Sequence, residues 1–281
     1  INIHVWNSEK TVMTAREANP TVYDLPAGSY TYTVEAKGYK KIKNQPLTVG
    51  AAAQTVNVAL TASDAWEGDS VVPTKVGDVY QITSGAELKG FAALVNGEEP
   101  GAKGILTKNI TLNEPGDYAQ KWTPMGASSS AAFTGDFDGN GKTVSGVNLV
   151  DEATASTTDA FIGFFGYVQG GEIRNLTLKG TISTTGRRAG GFIGAINGSA
   201  KVENCTNYCS VSAFANAGGI VGFVSPSAGV TISGCKNYGA ITGTTAKNTG
   251  TGGIIGSTGT STASTAGITV SGCANYGDVT G

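Results

Sequence analysis

One short pattern recurs four times in the second half of the chain and constrains its fold more than any other feature. Each copy is a glycine, two large apolar residues and a second glycine, at residues 163–166, 191–194, 219–222 and 253–256. Further apolar positions follow every copy in a constant register and form three sets. The first set is Ile173, Val202, Ile232 and Val270; the second is Leu176, Cys205, Cys235 and Cys273; the third is Ile182, Val211, Ile241 and Val279.

These copies predict a solenoid. Members of the first set are separated by 29, 30 and 38 residues, and the extra length falls in Gly/Ser/Thr-rich stretches. A unit of this size cannot bury its own apolar face, so a core requires that successive units stack. Stacking places equivalent residues about 4.8 Å apart and favours a right-handed parallel β-helix, with glycines at the tight corners. Exposed loops are expected at residues 183–189, 244–251 and 257–266.

Composition favours an all-β fold with one short helix. The chain has 42 glycines among 281 residues, and glycine costs about 1 kcal/mol in a helix interior. Residues 84–96 are the exception, because Ser84 and Glu87 form a capping-box pattern. Apolar residues at helical spacing follow it: Leu88, Phe91, Ala92 and Val95. We expect this helix to cover the exposed strand edge of the first coil.

The beginning of the chain predicts a separate β domain. Residues 1–6, 30–34 and 55–60 alternate apolar and polar side chains, which is typical of half-buried strands. Turn signals separate the runs, so a small antiparallel β-sandwich is predicted over residues 1–62. Residues 63–78 lack periodicity and are predicted to be a linker, with Trp66 packing where the domains meet. The solenoid is then expected to occupy residues 79–281.

Both domains resemble known families. Residues 25–39, LPAGSYTYTVEAKGY, resemble the Ig-like PEGA-type or carboxypeptidase-regulatory-like β-sandwich modules, which act as spacers in bacterial surface proteins. Residues 79–281 resemble GLUG-motif repeats, named for Gly-Leu-any-Gly, although Phe or Ile stands here in place of Leu. Residues 133–144 resemble the turn that commonly precedes such repeats. GLUG repeats occur in secreted and surface proteins, including non-catalytic parts of bacterial IgA-specific metallopeptidases, so the resemblance implies a location on a bacterial cell surface.

The cysteines are interpreted through the repeat. Cys205, Cys235 and Cys273 align with Leu176, which favours a column of small buried hydrophobic residues. Disulfides and metal ligation are the alternatives, although metal binding would need clustered His or acidic partners. Cys209 stands where the other units have glycine, and a bridge from it to Cys205 remains open.

Residues 136–141 contain a weak calcium-binding signal. Asp136, Asp138 and Asn140 match the opening of a calcium-binding loop, but Val147 occupies the position that needs a bidentate glutamate. Two hairpin strands around an Asp-Gly/Asn-Gly turn are the favoured interpretation. We therefore expect no metal site here and no cofactor.

Catalytic signals are sparse. His4 is the only histidine and alternates with apolar residues in a predicted strand, so it is expected to face solvent. β-Helix polysaccharide lyases and hydrolases need paired carboxylates or an acid with an arginine in a groove. The acids after residue 160 are Glu172, Glu203 and Asp278, and the first two fall at nearly equivalent positions one unit apart. The sequence therefore predicts no active site.

An Asn-Tyr pair repeats in three units. If the asparagines point inward, Asn207, Asn237 and Asn275 form an amide ladder, and the tyrosines form an outward column. That column consists of Tyr208, Tyr238 and Tyr276. We predict it as the ligand-binding surface, since stacked aromatic rings can pack on sugars, while an aromatic stack that only stiffens the turn is the alternative.

These features indicate a non-enzymatic extracellular fragment of a bacterial surface protein. The net charge is −2, and no basic stripe or apolar run indicates binding to nucleic acid or insertion into a membrane. The start lacks a signal peptide, so we interpret the chain as a piece of a longer exported protein. Adhesion to a polymeric glycan or to a host or neighbouring-cell surface protein is the leading hypothesis. The alternatives are a structural stalk and, less favoured, a polysaccharide-degrading β-helix enzyme.

Overall fold

The chain forms two compact units, Ile1–Asp64 and Ala65–Gly281. The computed structural model describes residues 1–18, 21–152, 158–225, 229–244, 250–259 and 267–281. Over these residues the fold is all-β, with a β-solenoid of about five turns, an N-terminal antiparallel sheet and one short helix. The predicted fold class is confirmed.

The first unit is built on an antiparallel sheet. Its strands pair in the order β2-β1-β5-β6, and β3 pairs with β4 in a separate two-stranded ribbon. The buried apolar residues of this unit are Val5, Tyr30 and Val34. The strands are β1 (Asn2–Asn7), β2 (Val12–Met13), β3 (Glu17–Ala18), β4 (Thr21–Val22), β5 (Gly28–Glu35) and β6 (Ile42–Val49).

The prediction of a third strand in this unit, at residues 55–60, is wrong. Residues 55–60 have no strand structure, and Val56 is exposed although it follows the alternating pattern. Alternating apolar and polar residues form a strand only where another part of the protein packs on the apolar side chains. In the described part of this unit, residues 1–18 and 21–64, the strands form a four-stranded antiparallel sheet and a small two-stranded ribbon.

The second unit contains the helix and the remaining strands. The first of them are β7 (Thr74–Val76), β8 (Val79–Ile82), α1 (Gly85–Asn96), β9 (Lys103–Leu106), β10 (Ile110–Thr111), β11 (Asp136–Asp138) and β12 (Thr143–Asp151). The middle ones are β13 (Asp159–Ile162), β14 (Phe165–Val168), β15 (Glu172–Arg174), β16 (Thr177–Thr184), β17 (Arg187–Gly190), β18 (Ile193–Ile196), β19 (Ala200–Glu203), β20 (Thr206–Asn207), β21 (Ser210–Ala213), β22 (Ala215–Gly218) and β23 (Val221–Val224). The last are β24 (Val230–Ser233), β25 (Lys236–Asn237), β26 (Ile241–Gly243), β27 (Thr251–Gly252), β28 (Ile255–Thr258), β29 (Ile268–Ser271), β30 (Ala274–Asn275) and β31 (Val279–Thr280).

Successive coils stack through parallel strands into four sheets. One sheet has eight strands, in the order β29-β24-β19-β15-β11-β9-β8-β7, and a second has nine strands centred on β16. Two four-stranded sheets, β13-β17-β22-β27 and β14-β18-β23-β28, complete the coils. One full coil therefore runs through β19, β20, β21, β22 and β23 before β24 returns to the eight-stranded sheet.

The repeat register appears directly in the strand pairing. Val202 pairs with Ile173 on one side and Ile232 on the other, and Ile232 pairs with Val270. Members of the first and third sets are fully buried in the inner coils, whereas Val270 and Val279 are exposed in the last described coil, which is covered on one side only. Inward columns of aliphatic side chains thus form the core.

The two glycines of each repeated pattern have different roles. The chain bends at the first glycine and the residue after it, between β17 and β18 for example. The second glycine is required by close backbone approach, because a Cβ on Gly194 would lie 2.4 Å from the carbonyl carbon of Phe161. A further corner uses left-handed backbone at Asn175, Asn204, Gly234 and Gly272, with φ of 54°, 52°, 62° and 61°. Asparagine and glycine tolerate this conformation best.

The predicted helix is confirmed, and it covers the end of the core. Ser84 is the N-cap and accepts a hydrogen bond from the Glu87 amide at 3.2 Å. Phe91 is fully buried, with its ring 5.8 Å from that of Phe137 in β11. The strand edge of β8 is instead covered by β7, which pairs antiparallel with it and is itself the exposed edge strand of the eight-stranded sheet.

Three further sequence-based expectations differ from the structure. Residues 65–78 belong to the second unit, because Trp66 is buried in its core and the Trp66 amide donates to the Thr111 carbonyl at 2.8 Å. The expected hairpin around residues 136–149 is wrong, since β11 and β12 lie in different sheets and each pairs with parallel strands. The predicted loop at 183–189 is reduced to a two-residue turn between β16 and β17, and the other two predicted loops extend outside the described residues.

Replacing Ile232 with Asp is expected to unfold the solenoid. The substitution removes an aliphatic contact that contributes roughly 2–5 kcal/mol and places an unpaired charge in an apolar column. Thermal unfolding followed by circular dichroism measures the effect. Thr231→Asp is the matched control, because Thr231 is the neighbouring half-buried residue of β24 and pairs with Lys201. An Ile232→Asp variant that melts with the wild-type protein would overturn the inward register.

Candidate functional site

Three tyrosines form a continuous column on the outer surface of the nine-stranded sheet. The ring centroids of Tyr208 and Tyr238 are 4.8 Å apart with an interplanar angle of 8°, and those of Tyr238 and Tyr276 are 4.7 Å apart at 12°. The residues are 46%, 39% and 63% exposed in chain order. The backbone fixes this spacing, because the Tyr238 amide donates to Asn207 and the Tyr276 amide donates to Asn237, at 2.8 and 2.7 Å.

This stacking limits what the column can contact. Each ring face that points along the column is covered by the next tyrosine, so the ring edges and hydroxyl groups are presented outward. Lys179 lies at the N-terminal end, with its ammonium 5.3 Å from the Tyr208 ring centroid. The expected packing of sugar rings on tyrosine faces is therefore restricted to the far face of Tyr276, while hydrogen bonding to phenol oxygens is open along the column.

An amide ladder holds the tyrosine column from inside. Asn207 Nδ2 donates to Asn237 Oδ1 at 2.8 Å, and Asn237 Nδ2 donates to Asn275 Oδ1 at 2.7 Å. Each amide also bonds to the backbone two residues later, as Asn237 does with the carbonyl of Gly239 at 2.9 Å. Asn207 and Asn237 are fully buried, and the ladder satisfies their polar groups. The tyrosines therefore stand on a rigid turn.

Three of the four cysteines form a second internal column, and all four are free thiols, so Cys209 makes no bridge to Cys205. Each sulfhydryl of the column donates to the carbonyl of the first-set residue in the preceding coil. The bonds run from Cys205 to Ile173, from Cys235 to Val202 and from Cys273 to Ile232, at 3.7, 3.5 and 3.6 Å. Burial raises the pKa of the Cys205 and Cys209 thiols, so these groups are protonated and unreactive in the folded protein.

The weak calcium candidates are engaged by the protein itself. Asp138 accepts hydrogen bonds from the Asn140 amide, Asn175 Nδ2 and Arg174 Nε at 2.7, 3.1 and 2.9 Å. Burial acts to raise the pKa of Asp138, but these hydrogen bonds outweigh it and lower the pKa. Asp136 accepts from the Glu172 amide at 3.1 Å, and Asn140 donates to the Leu106 carbonyl at 3.1 Å. Within the described ranges, no group of three His, Cys, Asp or Glu residues could hold a metal ion.

Glu172 and Glu203 do not stack as the sequence suggested. Glu172 pairs with Lys201 across β15 and β19, whereas Glu203 pairs with Arg174. The Glu172 carboxylate lies 2.9 Å from Arg174 Nη1. The two acids thus occupy different columns of a charge-alternating surface, where they form no carboxylate pair.

His4 lies apart from these columns in the first unit. It is exposed on β1, and its ring centroid is 5.8 Å from that of Trp6.

One surface cluster in the second unit has no signal in the local sequence: Arg188 lies against Phe161 and Phe223. These residues come from three different coils, so only the register of the two four-stranded sheets could have predicted their meeting.

Comparisons with known proteins give limited information. No protein-family model matches the sequence, and no curated protein matches it either. Among solved structures, the chain is similar to a "putative immunoglobulin A1 protease" from Bacteroides ovatus, with 17% identity and a TM-score of 0.44. The alignment covers 71% of this chain and 65% of the Bacteroides ovatus protein. This chain therefore spans less than two thirds of the length of that protein. Neither the GLUG nor the PEGA-type resemblance is shown by these comparisons.

The single helix, α1, is too short to cross a membrane, and no other described segment forms a helix that could do so.

Thiol accessibility is expected to follow the order of the coils. Cys273 is partly exposed, whereas the other three cysteines are buried, so an aromatic disulfide reagent should modify Cys273 first in the native protein. In denaturant without reductant, the same reagent should titrate four thiols. A count of two or fewer would show that a disulfide replaces part of the column.

Replacing Asn237 with Asp is expected to destabilise the protein by about 3 kcal/mol at pH 7. One carboxylate oxygen would replace Nδ2 and face the oxygens of Asn275 and Gly239, which are both acceptors. This repulsion and burial raise the folded-state pKa of the new carboxyl group above its unfolded value of about 3.9. The loss is therefore smallest at low pH and grows as pH rises through the folded-state pKa.

Urea unfolding between pH 3 and 8 measures this dependence relative to the wild-type protein. Asn275→Asp is the control, because Asn275 is the exposed end of the same ladder. Equal stability losses in the two variants, or a loss independent of pH, would contradict the buried ladder.

Proposed function

We propose that this chain is a non-enzymatic adhesive module of a bacterial cell-surface protein, and that it binds a polymeric glycan or a host or neighbouring-cell surface protein. The observation that carries the proposal is the exposed column of Tyr208, Tyr238 and Tyr276, held at a spacing of 4.8 and 4.7 Å. Ordered phenol groups on a rigid backbone lose little entropy when a ligand binds.

Regular spacing favours a polymeric partner. Each phenol edge offers one weak contact, and the same contact recurs at every coil. When several contacts on one polymer form together, the combined affinity can exceed any single affinity by about 10²–10⁴. Lys179 adds a cation at one end of the column, which suits a ligand with acidic or hydroxyl groups.

Binding is favoured over catalysis by how the acidic residues are used. Asp138 and Glu172 both bond to Arg174, and Glu203 accepts a hydrogen bond from Ser233 Oγ at 3.3 Å. A polysaccharide-cleaving site needs a carboxylate pair with a pKa suited to proton transfer. The charges described here neutralise one another along the surface.

The extracellular location is a proposal that rests on the GLUG and PEGA-type resemblances of residues 79–281 and 25–39. Free thiols are compatible with it, because three of the four are buried and protected from oxidation.

A passive stalk is the second candidate function. It is favoured by the continuous internal columns of aliphatic, thiol and amide side chains, which make the solenoid stiff along its axis. In that function the tyrosine column would only reinforce the turn.

Replacing Tyr208, Tyr238 and Tyr276 together with Ala is expected to abolish most binding while lowering stability only slightly. Cross-strand aromatic pairs contribute about 0.2–1 kcal/mol each, so the variant should remain folded. Binding is measured as retention of the full chain on immobilised dextran, polygalacturonate, heparin, mucin, collagen and fibronectin.

Two further variants make this test more specific. The triple change to Phe keeps the rings and removes the hydroxyl groups, so it separates hydrogen bonding from ring contact. Tyr118→Ala removes an exposed tyrosine outside the column and should leave binding unchanged. Retention on none of the surfaces, or retention untouched by the triple Ala change, would favour the stalk.

A further inference from the structure

The outer face of the two four-stranded sheets carries an arginine held between aromatic rings. Tyr167, Ala195 and Phe223 follow one another across three coils and belong to a small cluster apart from the main core. Tyr167 and Ala195 are buried, and Phe223 is half-buried. The guanidinium carbon of Arg188 lies 4.0 Å from the Phe223 ring centroid and 5.4 Å from that of Phe161.

The aromatic residues around Arg188 are themselves fixed. The Phe161 and Tyr167 rings meet edge to face, with centroids 4.9 Å apart and an interplanar angle of 80°. Asn197 Nδ2 donates a hydrogen bond of 2.7 Å to the Tyr167 hydroxyl. Because these rings are fixed, the Arg188 guanidinium packed against them is also restricted. A restricted guanidinium loses less entropy when it binds a ligand.

The backbone beneath this cluster is unusual. Phe161 and Arg188 directly precede the paired residues Ile162 and Ala189, and both have left-handed backbone, with φ of 50° and 69°. Asn216 has the same conformation at the corresponding corner of the next coil, with φ of 57°. Bulky residues seldom adopt this conformation, and such strain is concentrated at functional sites.

The cluster has surplus positive charge. Asp159 Oδ1 lies 3.0 Å from Arg188 Nε, but Nε makes no aligned hydrogen bond to any described residue. Arg187 Nε is likewise buried without a hydrogen-bond partner in the described chain. Arg187 and Arg188 are adjacent in β17, and among the described residues the Asp159 carboxylate forms an ion pair with Arg188 alone, which leaves capacity for a second anion.

We propose that Arg188, supported by Phe161 and Phe223, binds the carboxylate of an acidic sugar in a polysaccharide. The planar guanidinium can donate two parallel hydrogen bonds to a carboxylate. The half-exposed rings of Phe161 and Phe223 lie beside it and can contact the C–H groups of the sugar ring. An acidic sugar presents both chemistries in one rigid unit, whereas an acidic peptide side chain presents only the carboxylate. This inference rests on the proposed binding function and names its ligand class.

The test measures binding of the full chain to polygalacturonate, with dextran as the neutral polymer and polyglutamate as the acidic peptide. Arg188→Gln is expected to weaken polygalacturonate binding by about tenfold or more, because a charge-assisted contact is lost. Arg188→Lys keeps the charge but loses the planar donor pair, so it should restore binding only partly. Arg16→Gln removes an exposed arginine in the first unit and is the control expected to bind like the wild type.

The outcomes separate this site from the tyrosine column. Binding that is lost with the tyrosine changes and unaffected by Arg188→Gln would overturn the acidic-sugar site and leave the adhesive function standing. Equal affinity for polyglutamate and polygalacturonate would overturn the choice of a sugar, and absence of binding to both acidic polymers would overturn the site. Thermal unfolding of each variant shows that the comparison is made between folded proteins.

Discussion

The parallel hydrogen-bond ladder between successive coils determines the rest of the second unit. Because each strand pairs in register with its counterpart, a residue lies directly above the equivalent residue of the coil before it. Every side chain therefore belongs to a column, and a column is stable only if its members can stack. Aliphatic residues, thiols, amides and phenols all meet this condition, each through a different interaction. The ladder thus turns a repeated sequence into long rows of identical chemical groups.

Corners determine where such columns can occur. The first glycine of each repeated pattern lies at a bend, and the second allows one strand to pass close to another. Left-handed backbone at Asn204 and Gly234 turns the chain between the eight- and nine-stranded sheets. The tyrosine column lies at the turn after β20, β25 and β30, where the asparagine ladder bonds the coils together.

Much of the solenoid could be predicted from the sequence, because its information is repeated. Register positions such as Ile173, Val202 and Ile232 carry the same residue type at equivalent offsets, and stacking converts those offsets directly into contacts. The errors arose where a single local pattern had to be interpreted without repetition. Residues 55–60 alternate like a strand but have no apolar face to cover them, and β11 and β12 flank a turn like a hairpin although they belong to different sheets. Sheet membership depends on distant segments, which a local pattern does not contain.

The candidate sites show the same limit of local sequence patterns. The outward direction of the tyrosines follows from alternation, but the coverage of their ring faces follows from the 4.8 Å coil spacing. An uninterrupted aromatic column covers its own ring faces and can offer only edges and hydroxyl groups. A small residue such as Ala195 interrupts a column and leaves room for a side chain from another sheet, as Arg188 shows. Different chemical groups therefore meet where the repeat is broken, whereas an unbroken column places identical groups side by side.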